Sequence, residues 1–368
     1  MLRNIIKYLA LLINLFFSLM YLFGIISVIV PSNKFVWFSY FGLIFPLLIL
    51  SQIFFVIFWL FRRHKWYCLI SLSLLIFSFP AVNRTFTLFH KEKSIVMPEQ
   101  AKIKLLTYNV SMFSGEKHYQ PIMKLIEDSN ADIVCIQEFG FYNYTNQLTE
   151  DQILKRFQTN YPYRHLWYKN QKGKFSWGVA TFSKYPIIKK KKVEYASAYN
   201  VSVFSDIIIN QDTIRIFNNH LESNKLTMND FKNYKLLSEN PNREKFLSVT
   251  EQMSTKLSSA YRGRARQARI IAEEIRKSPY PVIVCGDFND VPQSYTYHTI
   301  SEGLCDVITA TKYGYNYTFH NNGILVNIDH VLLNENYFTP ISATIIHEPY
   351  SDHYPLLTEF QINKKPTK

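Results

Sequence analysis

The chain has 368 residues, with 41 Lys and Arg against 28 Asp and Glu, for a net charge of +13. At 48% hydrophobic residues it carries too much apolar surface for a disordered chain, and four cysteines are too few for a disulfide scaffold. The charge is also uneven: residues 1–83 hold six Lys or Arg, no Asp or Glu and 13 of the 29 Phe, so the rest of the chain has a surplus of only +7.

Three apolar runs occupy this first part, at residues 5–30, 35–61 and 66–82. Their lengths fit three membrane helices, each needing about 17–25 residues to cross the hydrocarbon. Trp37, Trp59, Trp66 and Tyr67 stand near the run ends, where amphipathic rings favour the headgroup zone. The first run is too long for a signal peptide, and no small-residue cleavage site precedes Pro31. Two spans with an interfacial third segment are the rival reading. Arg3, Lys7, Arg62, Arg63 and Lys65 assign the N-terminus and the second loop to the cytoplasm. Three crossings then put everything after Val82 on the extracytoplasmic, periplasmic side. Residues 84–100 read as a mixed-charge connector, and residues 101–368 as one catalytic domain of α/β type.

In that domain the signal is where the apolar runs stop. Ile103–Tyr108 stops at Asn109, the run from Ile133 at Glu138, the run from Ile214 at His220, and the run from Val282 at Asp287 with Asn289 just beyond. Two further runs have their polar residues at the start: Asp329 before Val331–Leu333, and Asp352 and His353 before Leu356–Thr358. If those two strands oppose the first four, all these groups share one rim of a sheet core, held by a rigid scaffold. Carboxylate and amide oxygens without cysteine suit a hard cation, Mg²⁺ or Mn²⁺. Histidines beside such a cation suit an anionic substrate, with phosphate leading.

The strings LLTYNV, IVCIQE, NNHLES, VIVCGDFND, NIDHVLLN and SDHYPL, in this order, resemble the endonuclease/exonuclease/phosphatase superfamily, of deoxyribonuclease I-like nucleases, abasic-site endonucleases, neutral sphingomyelinases and inositol polyphosphate 5-phosphatases. The resemblance covers residues 102–360. It implies a four-layer α/β sandwich with two central, largely antiparallel sheets. It further implies that Glu138 binds the divalent cation with Asn109 beside it, and that Asp352 supplies a further metal or water contact. Asp287 would orient or deprotonate the attacking water, with Asn289 holding that group and the phosphate. His220 and His353 would contact the phosphate, and Asp329 would fix the tautomer of His353. Two departures stand out. Val326 and Asn327 occupy positions where members often carry Arg before Ile-Asp, and Ser111 stands where many abasic-site endonucleases have an acid.

Other features read as structural. His330 should face the opposite side of its strand from Asp329. Cys135 and Cys285 sit in apolar runs as small buried hydrophobes. The segment 262–269 reads as a helix with a basic solvent face, residues 224–259 as a polar stretch of no assigned role, and Pro292–Tyr295 as the start of a helix. Trp177 stands near the substrate cleft.

The expectation is a membrane-tethered, divalent-metal-dependent phosphoester hydrolase, phosphodiesterase or nuclease-like. Its substrate would be a nucleic acid or a phospholipid headgroup, its contact with the bilayer made by residues 1–83, and no protein partner is inferable. The alternatives are a lipid or inositol headgroup phosphatase or phosphodiesterase, and a non-catalytic membrane binding protein.

Overall fold

The computed structural model describes residues 2–90, 101–115, 118–142, 149–170, 175–226, 230, 243–321 and 323–363. Most of the 84–100 connector and part of the 224–259 stretch therefore lie outside the described residues.

The N-terminal part is a helical bundle. Helix α1 (Leu2–Ile26) is continuous, and its segment Asn4–Ile26 is long and apolar enough to cross a membrane. The second and third runs are not single helices. The second divides into α2 (Trp37–Leu43) and α3 (Phe45–Leu60), bent by 67°, and the third divides at Ser78 into α4 (Cys68–Phe77) and α5 (Phe79–Phe86), bent by 70°. Pro46 and Pro80 explain both breaks. Each lacks the N–H that would bond four residues back, and its ring collides with that carbonyl, so the helix ends and restarts. Three evenly built spans are thus corrected to one uninterrupted helix, or to three only if each bent pair crosses as a unit. Helix α5 also continues past Asn83 to Phe86.

A few polar groups pair inside this bundle, beside an apolar interior of Phe45, Leu48 and Ile49, and its outer surface is apolar as well. Asn14 donates to Ser71 Oγ at 2.8 Å and accepts from Trp59 Nε1 at 3.1 Å, while Ser18 donates to Gln52 Oε1 at 3.2 Å. Leu12, Phe16, Leu47, Phe54 and Ile57 are exposed. In water this arrangement would cost hydrophobic free energy, whereas in lipid buried interhelical hydrogen bonds are what hold helices together.

The C-terminal part is a four-layer sandwich. Its first sheet contains β1 (Lys102–Asn109), β2 (Ile133–Tyr142), β3 (Tyr163–Asn170), β4 (Phe175–Ser183), β13 (Phe338–Ile345) and β14 (Leu356–Ile362), in the order β13-β14-β1-β2-β4-β3. Its second contains β5 (Ile187–Lys192), β6 (Val201–Ile209), β7 (Asp212–His220), β8 (Val282–Asp287), β9 (Leu304–Asp306) and β12 (Asp329–Asn334), in the order β5-β6-β7-β8-β12-β9. Among the described strands only β1–β2 and β7–β8 pair in parallel. Ile103, Leu105, Ile133 and Cys135 of one sheet pack on Ile207, Ile216, Ile283 and Cys285 of the other. On the outer faces, Ile122 and Ile126 of the helix Tyr119–Asp128 cover the first sheet, and Ala268 and Ile271 of the long helix Arg243–Arg276 cover the second.

That long helix presents Arg262, Arg266 and Arg269 to solvent, as expected, and buries Ala265 and Ala268, but Arg264 departs from the pattern. Arg264 is fully buried: its Nε donates to Asp290 Oδ2 at 3.2 Å and its Nη1 to Glu222 O at 2.7 Å and Asn224 Oδ1 at 2.8 Å. Ser294 caps the short helix Tyr295–Ile300, as expected from the sequence. The preceding Gln293 joins the two parts of the molecule. It donates from Nε2 to Gly24 O at 2.9 Å, its carbonyl accepts from Ser27 Oγ at 3.1 Å, and its Oε1 accepts from Arg84 Nη2 at 3.2 Å. Gly42 permits this approach, since a Cβ there would lie 2.2 Å from Gln293 O. Tyr40 adds bonds to Ser254 and Ser258 and an edge contact with Tyr261.

Removing one partner of a buried ion pair strands the other. Arg264→Ala is therefore expected to cost about 3–5 kcal/mol in unfolding of the whole chain. Arg264→Met combined with Asp290→Leu should recover most of that loss, and equal loss in the single and double variants would show that the pair is not the cause.

Candidate active site

Strand register brings the polar residues together. β7 and β8 end side by side, with His220 opposite Asp287, and antiparallel β12 begins with Asp329 opposite the same Asp287. In the first sheet β1 ends at Asn109. One strand does not end where the sequence suggests: β2 continues through Glu138 to Tyr142. Its ladder to β4 pairs Gln137 with Val179 and then Phe139 with Gly178, so Glu138 is the extra residue of a bulge, at φ +50°. A bulge in this conformation bends the strand and re-aims one side chain out of the pleat.

Asp287 is the centre of the cluster. Its Oδ2 accepts from Asn109 Nδ2 at 3.0 Å and from Asn289 Nδ2 at 3.1 Å, and its Oδ1 accepts from the Asn289 backbone at 2.7 Å. Asn109 Nδ2 also lies 3.4 Å from Glu138 Oε1. His220 Nε2 stands 3.7 Å from Glu138 Oε1 and 3.8 Å from Asp287 Oδ2. His353 points Nε2 at Asp287 Oδ2 from 3.7 Å and binds Asp329 Oδ2 through Nδ1 at 2.8 Å. Asp352 is at the edge of the cluster, within 3.5 Å of Asn321 Nδ2. All eight residues singled out in the sequence thus gather where the ends of the two sheets meet.

Two buried atoms in this cluster, His220 Nε2 and Asp329 Oδ1, have no hydrogen-bond partner among the described residues. Unsatisfied buried groups are costly, and a site that takes a polar ligand is a physical reason to keep them. Burial pushes the Asp287 carboxyl above its ordinary range, only partly opposed by His353. Burial and then Asp352 push Glu138 upward as well. Glu138 keeps a third of its side chain exposed, so water screens part of this effect, whereas Asp287 is sealed. Burial holds the His220 imidazole below its usual value. For His353 burial acts the same way but is outweighed by Asp329 and Asp287, which raise the imidazole well above its ordinary range.

Asp287, Asp329 and His353 offer ligand atoms within 4.8 Å of one another and could hold a metal ion. His353 Nδ1, however, is committed to Asp329, which leaves the ring only Nε2 to offer. Glu138, Asn109 and Asp352 are the oxygen donors that the resemblance implies for the cation, and Asp352 adds to the upward push on Glu138. Both sets consist of hard donors apart from the imidazole, which fits Mg²⁺ or Mn²⁺ chemistry.

Supporting residues were not evident from the sequence. Thr318 Oγ1 accepts from the backbone of Ile328 and Asp329, fixing the start of β12. Ser351 donates to Asn109 O at 2.8 Å, tying the loop before His353 to the end of β1. Gln137 donates to Asn218 Oδ1 at 2.7 Å across the two sheets. Of these only Gln137 was marked, by a side-chain amide inside an apolar run. His330 faces away, fully buried, between Asp306 Oδ2 and Asp290 O at 3.3 Å each. Trp177 stacks on Tyr199 at 6.1 Å, and its register partner Gly140 lies two residues beyond Glu138 on β2. None of the four cysteines forms a disulfide.

The Asp329–His353 pair has a pH signature. A histidine whose folded value is raised stabilises the fold fully below the unfolded value near 6.5 and loses that contribution as pH rises through the folded value. Asp329→Asn should therefore destabilise most in acid, with a cost that shrinks as pH is raised through the alkaline range. Thermal unfolding of both proteins across pH checks this, and a cost independent of pH would contradict it.

A model of the Endonuclease/Exonuclease/phosphatase family matches residues 106–353, and a model described as a domain of unknown function (DUF8431) matches residues 6–85. No curated protein matches the chain by sequence. Among solved structures, an endonuclease/exonuclease/phosphatase from Beutenbergia cavernae is similar at TM-score 0.50 and 13% identity, over 73% of this chain and 73% of that one. A family protein from Bacteroides thetaiotaomicron gives 0.50 and 15%, over 72% and 100%. Humanized D. rerio TDP2 gives 0.49 and 17%, over 70% and 98%. The first two share the sandwich fold with this chain. With the family model spanning β1 to His353, the chain belongs to the endonuclease/exonuclease/phosphatase family and is a metal-dependent hydrolase of phosphoester bonds.

Proposed function

We propose that the chain hydrolyses a phosphoester at a membrane surface, with the cleft around Asp287 as its active site. The observation that carries this reading is the convergence of Asn109, Asn289, His220 and His353 on one buried carboxyl, with Glu138 and Asp352 at the edge. Glu138, Asn109 and Asp352 would hold a divalent cation, Mg²⁺ or Mn²⁺. Such a cation, when bound, neutralises charge developing on the phosphoryl oxygens. Asn109 and the Asn289 side chain and backbone fix the Asp287 carboxyl, whose raised proton affinity makes it a better base than an ordinary aspartate. Asp287 takes a proton from water as the water oxygen bonds to phosphorus. The bond from phosphorus to the leaving oxygen breaks opposite, and that oxygen is protonated from solvent. The His353 imidazolium, held by Asp329, and His220 donate to nonbridging oxygens.

With bis(p-nitrophenyl) phosphate and Mg²⁺, Asp287→Asn is expected to lower kcat by about 10²–10⁴-fold. Chelation should abolish turnover and added Mg²⁺ or Mn²⁺ restore it. Wild-type turnover by a protein carrying both Glu138→Ala and Asp287→Ala would overturn the mechanism.

The bilayer contact falls to residues 1–83, with residues 84–100 a connector and 101–368 the catalytic domain. The exposed apolar surface of the bundle supports this, as do Arg62, Arg63 and Lys65 at the turn between α3 and α4, which puts them at the end of the bundle remote from the Gln293 junction. The N-terminus is then cytoplasmic and the catalytic domain extracytoplasmic. Alkaline phosphatase fused after Lys93 should be active. An inactive fusion beside an active cytoplasmic reporter at the same site would reverse the orientation.

A further inference from the structure

The loop that carries the catalytic cluster is also the loop that meets the helical bundle. Asn289 and Gln293 are four residues apart, a reach of at most about 14 Å, and Gln293 bonds to Gly24 and Ser27 at the end of the apolar helix α1. On the other flank, the small hairpin of β10 (Phe319–Asn321) and β11 (Ile324–Val326) leans on the site itself. Phe319 packs edge-on against His353 with ring centroids 5.1 Å apart, and His320 N donates to Asp352 O at 2.9 Å. The same hairpin reaches the bundle: Tyr315 donates to Leu325 O at 2.8 Å and packs on Phe86 at 5.5 Å, and Gly314 N donates to Thr87 O at 3.1 Å. Its outer surface is apolar, with Ile324 37%, Leu325 44% and neighbouring Tyr313 68% exposed, and Phe89 exposed nearby in sequence to Phe86. Between Tyr313 and His353 there is no Lys or Arg, although Asp329, Glu335, Glu348 and Asp352 all fall there. A nucleic acid needs cations along its track, and residues 313–353 supply no lysine or arginine to one.

We infer that the β10–β11 hairpin lies against the bilayer that holds the bundle, and that the site takes a phosphoester borne by a membrane lipid. This rests on the phosphoester hydrolysis proposed above and names the carrier of the ester. An exposed apolar lip continuous with lipid-facing helices loses unfavourable water contact by entering the interface, and aromatic residues such as Tyr313 and Tyr315 suit that depth. It would hold the cleft at headgroup level, with His353 directly behind it.

The test uses full-length protein in proteoliposomes of phosphatidylethanolamine, phosphatidylglycerol and phosphatidic acid, with bis(p-nitrophenyl) phosphate as the soluble ester. Replacing both Ile324→Glu and Leu325→Glu should lower lipid turnover about tenfold or more while leaving the soluble ester unaffected. Equal loss on both esters, unchanged lipid turnover, or wild-type protein that cleaves the soluble ester and none of the lipids would each overturn the inference. A spin label on Leu325→Cys reads the placement separately: it should be more accessible to oxygen than to a water-soluble nickel chelate, and the reverse order overturns it. If neither ester is cleaved, the hydrolytic reading fails while the label still reports where the hairpin lies.

Discussion

The structure depends on a carboxyl buried at a seam. Asp287 ends a strand of the second sheet, is 1% exposed, and is held by Asn109 from the end of a strand in the first. A sealed carboxyl without partners would be prohibitively costly, so the seam is stable only while both sheets present hydrogen-bond donors to it. The packing of Ile133 and Cys135 against Ile216 and Cys285 brings those strand ends into register. The face-to-face packing of two sheets therefore sets the geometry of the site.

The same economy governs the junction with the helices. The chain leaves Asp287, forms the Asn289 turn against Leu221 O, and meets the bundle at Gln293 within a few residues. Arg264 braces this turn through Asp290, whose carbonyl also approaches His330. A displacement of the bundle would thus be transmitted to the segment that fixes the Asp287 carboxyl. In the proposed reading the helices do more than tether: they set the height and tilt of the cleft above the lipid.

Much of this was legible in the sequence because polar residues interrupt β-branched apolar runs abruptly, as at Asn109, His220 and Asp287. The rest was hidden for identifiable reasons. Glu138 is followed by Phe139, Gly140 and Phe141, an apolar string that carries no mark of a bulge, so the strand looked finished when it was not. Pro46 and Pro80 did mark the helix breaks, but each is set in a long apolar run whose length suggested a continuous span. Arg264 sits among Arg262, Arg266 and Arg269, a pattern that reads as solvated, and its partner Asp290 is remote in sequence. The exposure of Ile324 and Leu325 is likewise invisible locally, since two adjacent aliphatic residues in a short strand ordinarily signal core.

Two candidate ligand sets meet in the cleft, and the mechanism depends on which one takes the cation. Binding of Mn²⁺ to the full-length protein, followed by electron paramagnetic resonance, separates them without requiring turnover. The account predicts that Glu138→Ala loses Mn²⁺ while Asp329→Asn retains it, because Asp329 serves the His353 imidazolium. Retention in Glu138→Ala with loss in Asp329→Asn would contradict the account and assign the ion to Asp287, Asp329 and His353.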